Sequence, residues 1–133
     1  MLGKVLAILP ERVAVCWLPP ESDYPQWIMG EGLVSITRTA EELSVICEEK
    51  FVPEDVISER GWRALKIQGP LDFSLVGVLA PIAKILADNG VSIFSISTYE
   101  TDYILVKEGT LENVIGVLRQ SGYDILDNDN LSE

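Results

Sequence analysis

Residues 95–108 read SISTYETDYILVKE, a strand, a turn and a strand with an acid at the turn's far end. Asp102 can accept a hydrogen bond from an ammonium or guanidinium group, a charge-assisted contact of roughly 1.5–3 kcal/mol net. Tyr99 can stack over an aliphatic stem or a guanidinium plane. Thr98 can offer a hydroxyl or a carbonyl. Each residue also has a plainer role. An aspartate beside a turn often only bonds a nearby backbone N–H, Tyr99 fits an exposed turn aromatic, and Thr98 fits an ordinary strand position.

A ligand with a carboxylate also needs donors. DFSLVGVLAPIAKILADNG (72–90) has apolar residues at Leu75, Val78, Leu79, Ile82, Ile85 and Leu86, which is helical spacing. The start of such a helix, around 74–78, presents unpaired N–H groups and the positive end of the helix dipole. Gly77 has no side chain to hold a ligand off its backbone. Ser74 can bind a carboxylate or simply cap the helix, a role Asp72 can also fill. Pro81 lacks an N–H. Either this frees the Gly77 carbonyl for a ligand cation, or Pro81 falls in the first turn of a helix that begins near 78.

The elements that must position these groups follow from pattern. Alternation in GWRALKIQG predicts a strand over 62–68, stopped by Gly69-Pro70. VSIFSIST and YILVKE predict two strands about a turn at 99–102. TLENVIGVLRQSG predicts a second helix, with Thr110 as cap and Gly122 at its end. YDILD predicts a last short strand. The order β-α-β-β-α-β is the ferredoxin-like unit.

The first half repeats that plan imperfectly. Residues 35–48, SITRTAEELSVICE, echo the opening stretch, with Ile36 and Glu48 sixty positions before Ile96 and Glu108. On that alignment Glu42 stands where Asp102 stands. KVLAIL and RVAVCWL predict two strands joined at Pro10-Glu11, and PEDVISE predicts a short helix opened by Pro53. Where the second half has its first helix, PPESDYPQWIMGEG (19–32) has three prolines and no apolar period, so a loop or one short turn is expected. With no helix opposite it, Glu42 reads as a solvated turn acid left by duplication. Trp17 and Trp62 fit strand cores, and Trp27 fits an anchor for the loop or a cover for an interface.

The chain of 133 residues has 47% hydrophobic residues, enough for one core or for two small units that complete each other. The expected division is 1–60 for a degenerate first unit, 61–126 for a complete second one and 127–133 for a frayed tail. A net charge of −11 opposes nucleic acid and anionic membrane surfaces. No apolar run reaches the ~18 residues of a membrane span, and the N-terminus reads as a strand, not a signal peptide. There is no histidine, which removes the commonest metal ligand and general base. Cys16 and Cys47 are too few for a four-cysteine zinc site and fit small buried thiols, with an interstrand disulfide as the alternative. No metal or cofactor is expected, and little favours an enzyme.

SISTYETDYILVKE with GPLDFSLVGVLAPIAKILADNGVSIF, and SITRTAEELSVICEE with FVPEDVI, resemble the ACT domain. The branch is that of the cytosolic arginine sensors called CASTOR, here as a bacterial-type short form. The likeness covers about 33–122. It implies an α+β fold of tandem ferredoxin-like units and a cytoplasmic regulatory protein without catalytic activity. It also implies a small-molecule ligand, usually an amino acid, with arginine one candidate, held between ACT units. Its contacts would map onto Gly77 and Val78 at the helix and Thr98, Tyr99 and Asp102 at the turn. The sensors hold twice this architecture in one chain, so a homodimer is expected. A ligand-free protein-interaction module of the same fold is the competing reading, and a small enzyme built on buried acids is a third.

Overall fold

The computed structural model describes residues 4–68 and 77–127. Seven strands and two helices follow in the order β1 (Val5–Leu18), β2 (Ser35–Arg38), β3 (Leu43–Glu48), β4 (Ile57–Ile67), α1 (Leu79–Asp88), β5 (Ile93–Ser97), β6 (Asp102–Lys107), α2 (Leu111–Gln120) and β7 (Asp124–Leu126). The fold is α+β. The chain forms two compact units, one of Glu11–Trp62 and one of Met1–Pro10 with Arg63–Glu133, so β1 and β4 each give residues to both. The expected division near 59–61 falls within β4.

The unit of Arg63–Glu133 has its strands in the order β7-β1-β4-β6-β5. Removing β1 leaves the ferredoxin-like order. The N-terminal residues Val5–Ala7 run parallel to Asp124–Leu126, inserted between the first and last strands of the motif. Leu6 and Ile8 thereby join Leu65, Ile67, Ile104, Val106 and Ile125 in a core closed by Ile82 and Leu86 of α1 and Val114 and Leu118 of α2. The helical apolar spacing read from sequence is the face that packs. α1 starts at Leu79, later than the segment 72–90 allowed, and Pro81 lies in its first turn. An N–H there would have no helical partner, so the proline is tolerated without any special role. Asp72 and Ser74 lie outside the described residues.

The unit of Glu11–Trp62 orders its strands β2-β3-β1-β4. Three expectations change here. KVLAIL and RVAVCWL are one strand, because proline is compatible with extended backbone and removes one donor without forcing a turn. PEDVISE is not a helix; a turn closed by Val56 N–H to the Pro53 carbonyl (3.2 Å) leads straight into β4. The short helical turn falls earlier, at Glu49–Phe51. Trp17 is 40% exposed, whereas Trp62 is buried.

Residues 19–32 form the expected irregular loop, with two turns closed by Ser22 N–H to Pro19 and Ile28 N–H to Pro25. Trp27 and Ile28 pack on the small core of Ala14, Cys16, Leu43, Val45, Cys47 and Val52. The Arg38 guanidinium pins the loop by donating to the carbonyls of Pro20 and Ser22. Cys16 and Cys47 are free and buried, which excludes the disulfide alternative. Their partners in the ladder are Val45 and Ala14, so the thiols stand diagonally on one face. The Cys47 thiol donates to Cys16, which lowers the pKa of Cys16; the same bond and burial raise that of Cys47. Both thiols should resist a water-soluble thiol reagent in the native protein. Trp27→Ala should destabilise the chain by about 2–3 kcal/mol and speed labelling severalfold. Unchanged labelling would mean that Trp27 does not control access to the thiols.

Candidate functional site

The hairpin of β5 and β6 pairs Ser97 with Asp102, and its turn is closed by Thr98 N–H to the Thr101 carbonyl at 2.8 Å. The Thr98 hydroxyl donates to that carbonyl (3.1 Å) and accepts from the Thr101 N–H (3.3 Å). Thr98 is therefore already engaged in the turn. Tyr99 projects from it, 80% exposed.

Asp102 is the first residue of β6 and half-buried. Its carboxylate oxygen Oδ1 accepts from the Ser97 hydroxyl across the strand pair at 2.5 Å. This fixes one oxygen while Oδ2 keeps its acceptor capacity.

Sequence reasoning missed Ser97 and Thr101. Thr101 is a polar residue only 5% exposed, and its hydroxyl donates to the Ile67 carbonyl at the end of β4. The turn is thereby tied to the strand from which the chain leads toward α1. A threonine between two acids carries no pattern that would announce burial.

Gly77 does not lie on α1 as expected. It precedes the helix, exposed, with φ of +75°, a conformation that strongly favours glycine. A Cβ there would meet nothing within 4 Å, so backbone conformation, not crowding, selects the glycine. Its carbonyl lies outside the helix, so Pro81 is not what frees it. Val78 is the N-cap residue and packs against the core. No side-chain bond caps the helix within the described residues. Gly77 and the β5–β6 turn are both connected to the Ile67 end of β4, one through the chain and the other through Thr101.

The hairpin of β2 and β3 corrects the internal alignment. Thr39 N–H bonds the Glu42 carbonyl at 2.9 Å, as Thr98 bonds Thr101. Arg38 pairs with Leu43, as Ser97 pairs with Asp102. The structural repeat is thus one residue shorter than the spacing of Ile36 and Ile96. Leu43, fully buried, is the counterpart of Asp102, and Glu42 is the counterpart of Thr101.

Comparison with known proteins agrees with this fold. The family model described as "ACT domain" matches residues 57–120, and a model for an N-terminal domain matches 11–55. A protein of Agrobacterium tumefaciens, Atu0741, superposes with a TM-score of 0.87 at 35% identity, over 93% of this chain and 92% of that one. Residues 57–120 form an ACT domain. The chain is also 40% identical over 99 residues to "Cytosolic arginine sensor for mTORC1 subunit 1" of Homo sapiens. That match covers 69% of this chain but 28% of the sensor, so the chain spans less than a third of the curated relatives it matches. An aspartokinase structure, "alpha and beta subunits", shares the fold at a TM-score of 0.60 and 14% identity, over 87% of this chain and 95% of that one. Among the described residues, no helix is long and apolar enough to cross a membrane, and no group of three or more His, Cys, Asp or Glu could hold a metal ion.

Thr101→Val keeps the shape and removes the hydroxyl that satisfies Ile67. It should lower stability by about 1–2 kcal/mol, measured by urea denaturation. An unchanged midpoint and slope would show that the brace contributes nothing.

Proposed function

We propose that the protein is a non-catalytic regulatory module that binds an amino acid, acts in the cytoplasm and works as a homodimer. The ligand would lie between ACT units of two copies. Its ammonium, or a cationic side chain such as that of arginine, would bond the free oxygen of Asp102. Its carboxylate would meet the backbone around Gly77 and Val78, with Ser74 as a further donor. Thr98 would contribute backbone, and Tyr99 would cover the ligand stem.

The observation that carries this reading is the held carboxylate. Ser97 fixes one oxygen of Asp102, and Thr101 ties the turn to β4. A carboxylate already ordered loses less freedom when a cation arrives. Similarity to a protein named as an arginine sensor supports the amino-acid class. Binding would stabilise one arrangement of the two copies and so alter affinity for a further partner.

A second reading has its own observation. The Ser97–Asp102 bond also suits a carboxylate that only braces a hairpin, as a ligand-free interaction module would use it.

A thermal-shift series with the twenty amino acids separates the two. One or two amino acids should raise Tm in a saturable way, since binding to the native state alone does so. Asp102→Asn should weaken that binding at least tenfold while leaving the unliganded Tm within a few degrees. A variant that binds as tightly as the natural protein would remove Asp102 from the site. No shift at millimolar ligand would favour the interaction module.

A further inference from the structure

β7 is the last strand of the unit of Arg63–Glu133, and among the described residues its one strand neighbour is β1. The Asp124 N–H donates to the Lys4 carbonyl at 2.9 Å, so the backbone polar groups of Asp124 face β1. These groups alternate in direction along a strand, so those of Ile125 face the open side. Arg119 stands on that side, and its Nη2 donates to the Ile125 carbonyl at 3.1 Å. The Ile125 N–H points the same way.

This edge is not made for another strand. Strand addition uses acceptors as well as donors, and the guanidinium occupies the acceptor. Donors remain: the Ile125 N–H and the other guanidinium N–H groups. They border an open cavity of about 540 Å³, a size common for small-molecule sites. Its other walls are Val5, Tyr123, Asp124 and Leu126. Val5 and Leu126 are apolar and half-buried, and Asp124 is exposed. The Lys4 ammonium lies over the Tyr123 ring, 4.2 Å from its centroid, and Lys4 does not line the cavity.

Two opposite charges thus border one cavity, Arg119 from the last turn of α2 and Asp124 from the start of β7. Arg119 is anchored on a carbonyl and not on a carboxylate, so its anchor leaves its charge uncompensated. A simple anion would meet Asp124 and a chain of net charge −11. A simple cation would meet Arg119. A ligand with both charges suits both walls.

We infer that this cavity is a second ligand site, one that takes a zwitterionic α-amino acid with an apolar side chain. The carboxylate bridges Arg119 and the Ile125 N–H, the ammonium meets Asp124, and the side chain lies against Val5 and Leu126. A guanidinium already held by Ile125 loses less freedom when a carboxylate arrives. The site uses none of the residues around Gly77 and Asp102 and stands apart from the function proposed for them.

Leucine is the probe, and the amide chemical shifts of the full chain in solution report where it binds. Leucine should move the Ile125 amide saturably, in the natural protein and in Asp102→Asn alike. Isocaproate, which lacks the ammonium, and isoamylamine, which lacks the carboxylate, should each bind at least tenfold more weakly. Asp124→Asn should weaken leucine binding at least tenfold without weakening isocaproate. Arg119→Gln should weaken leucine as much without weakening isoamylamine, a selectivity that mere loss of structure would not produce. Asp124→Asn decides if Arg119→Gln does not fold, because replacing an exposed side chain costs little stability. The inference fails if the Ile125 amide does not respond, if either compound lacking one charge binds like leucine, or if Asp124→Asn binds leucine like the natural protein. If the shifts centre on 97–102 and vanish in Asp102→Asn, leucine sits at the turn, and this inference falls while the reading of Asp102 stands.

Discussion

The hydroxyl of Thr101 on the carbonyl of Ile67 is the contact on which the candidate site depends. A strand end leaves its last carbonyl without a ladder partner, and burial makes such a group expensive to leave alone. Thr101 satisfies it from the neighbouring hairpin. Thr101 is then held inward, and the turn it closes carries Thr98 and Tyr99 outward. With the turn fixed, Ser97 and Asp102 face one another, and the carboxylate has one defined direction. The geometry that could read a ligand is thus a consequence of satisfying one backbone oxygen.

The two units solve the same covering problem in different ways. A sheet face of Leu, Ile and Val must be sealed from water. In the unit of Arg63–Glu133, α1 and α2 do this with apolar stripes at helical spacing. In the unit of Glu11–Trp62 the chain at the corresponding place is too rich in proline to be helical. There the seal is a loop, and a loop has no internal ladder to hold it. Its shape comes from anchors: Arg38 on two carbonyls, Trp27 and Ile28 in the core, and glycine backbone against Glu48. Such a cover is stable only while its anchors hold.

Periodicity made both helices and the β5–β6 hairpin legible, because amphipathic faces repeat and the structure packs those faces. The single long β1 was not legible: Pro10-Glu11 has the composition of a turn, and only strand neighbours decide that extended backbone continues. The first turn of α1 was misjudged for a related reason, since apolar spacing runs on past the point where helical geometry stops. Ser97 and Thr101 were invisible as functional candidates. Each owes its meaning to a neighbour distant in sequence or across a ladder. A serine or a threonine has no pattern of its own that marks it as buried or paired.

The internal repeat shows most sharply what sequence identity can and cannot give. Matching Ile36 to Ile96 makes Glu42 the twin of Asp102. The hydrogen-bond register moves the match by one residue, and in a strand one residue reverses the face. The true counterpart of Asp102 is Leu43, inside a core, and that of Thr101 is Glu42, half-buried at a turn. The first hairpin therefore has neither the held carboxylate nor the hydroxyl brace. It keeps the turn itself, closed by Thr39, because the turn serves the fold. The turn is common to both hairpins, whereas the held carboxylate and the hydroxyl brace belong to the second alone.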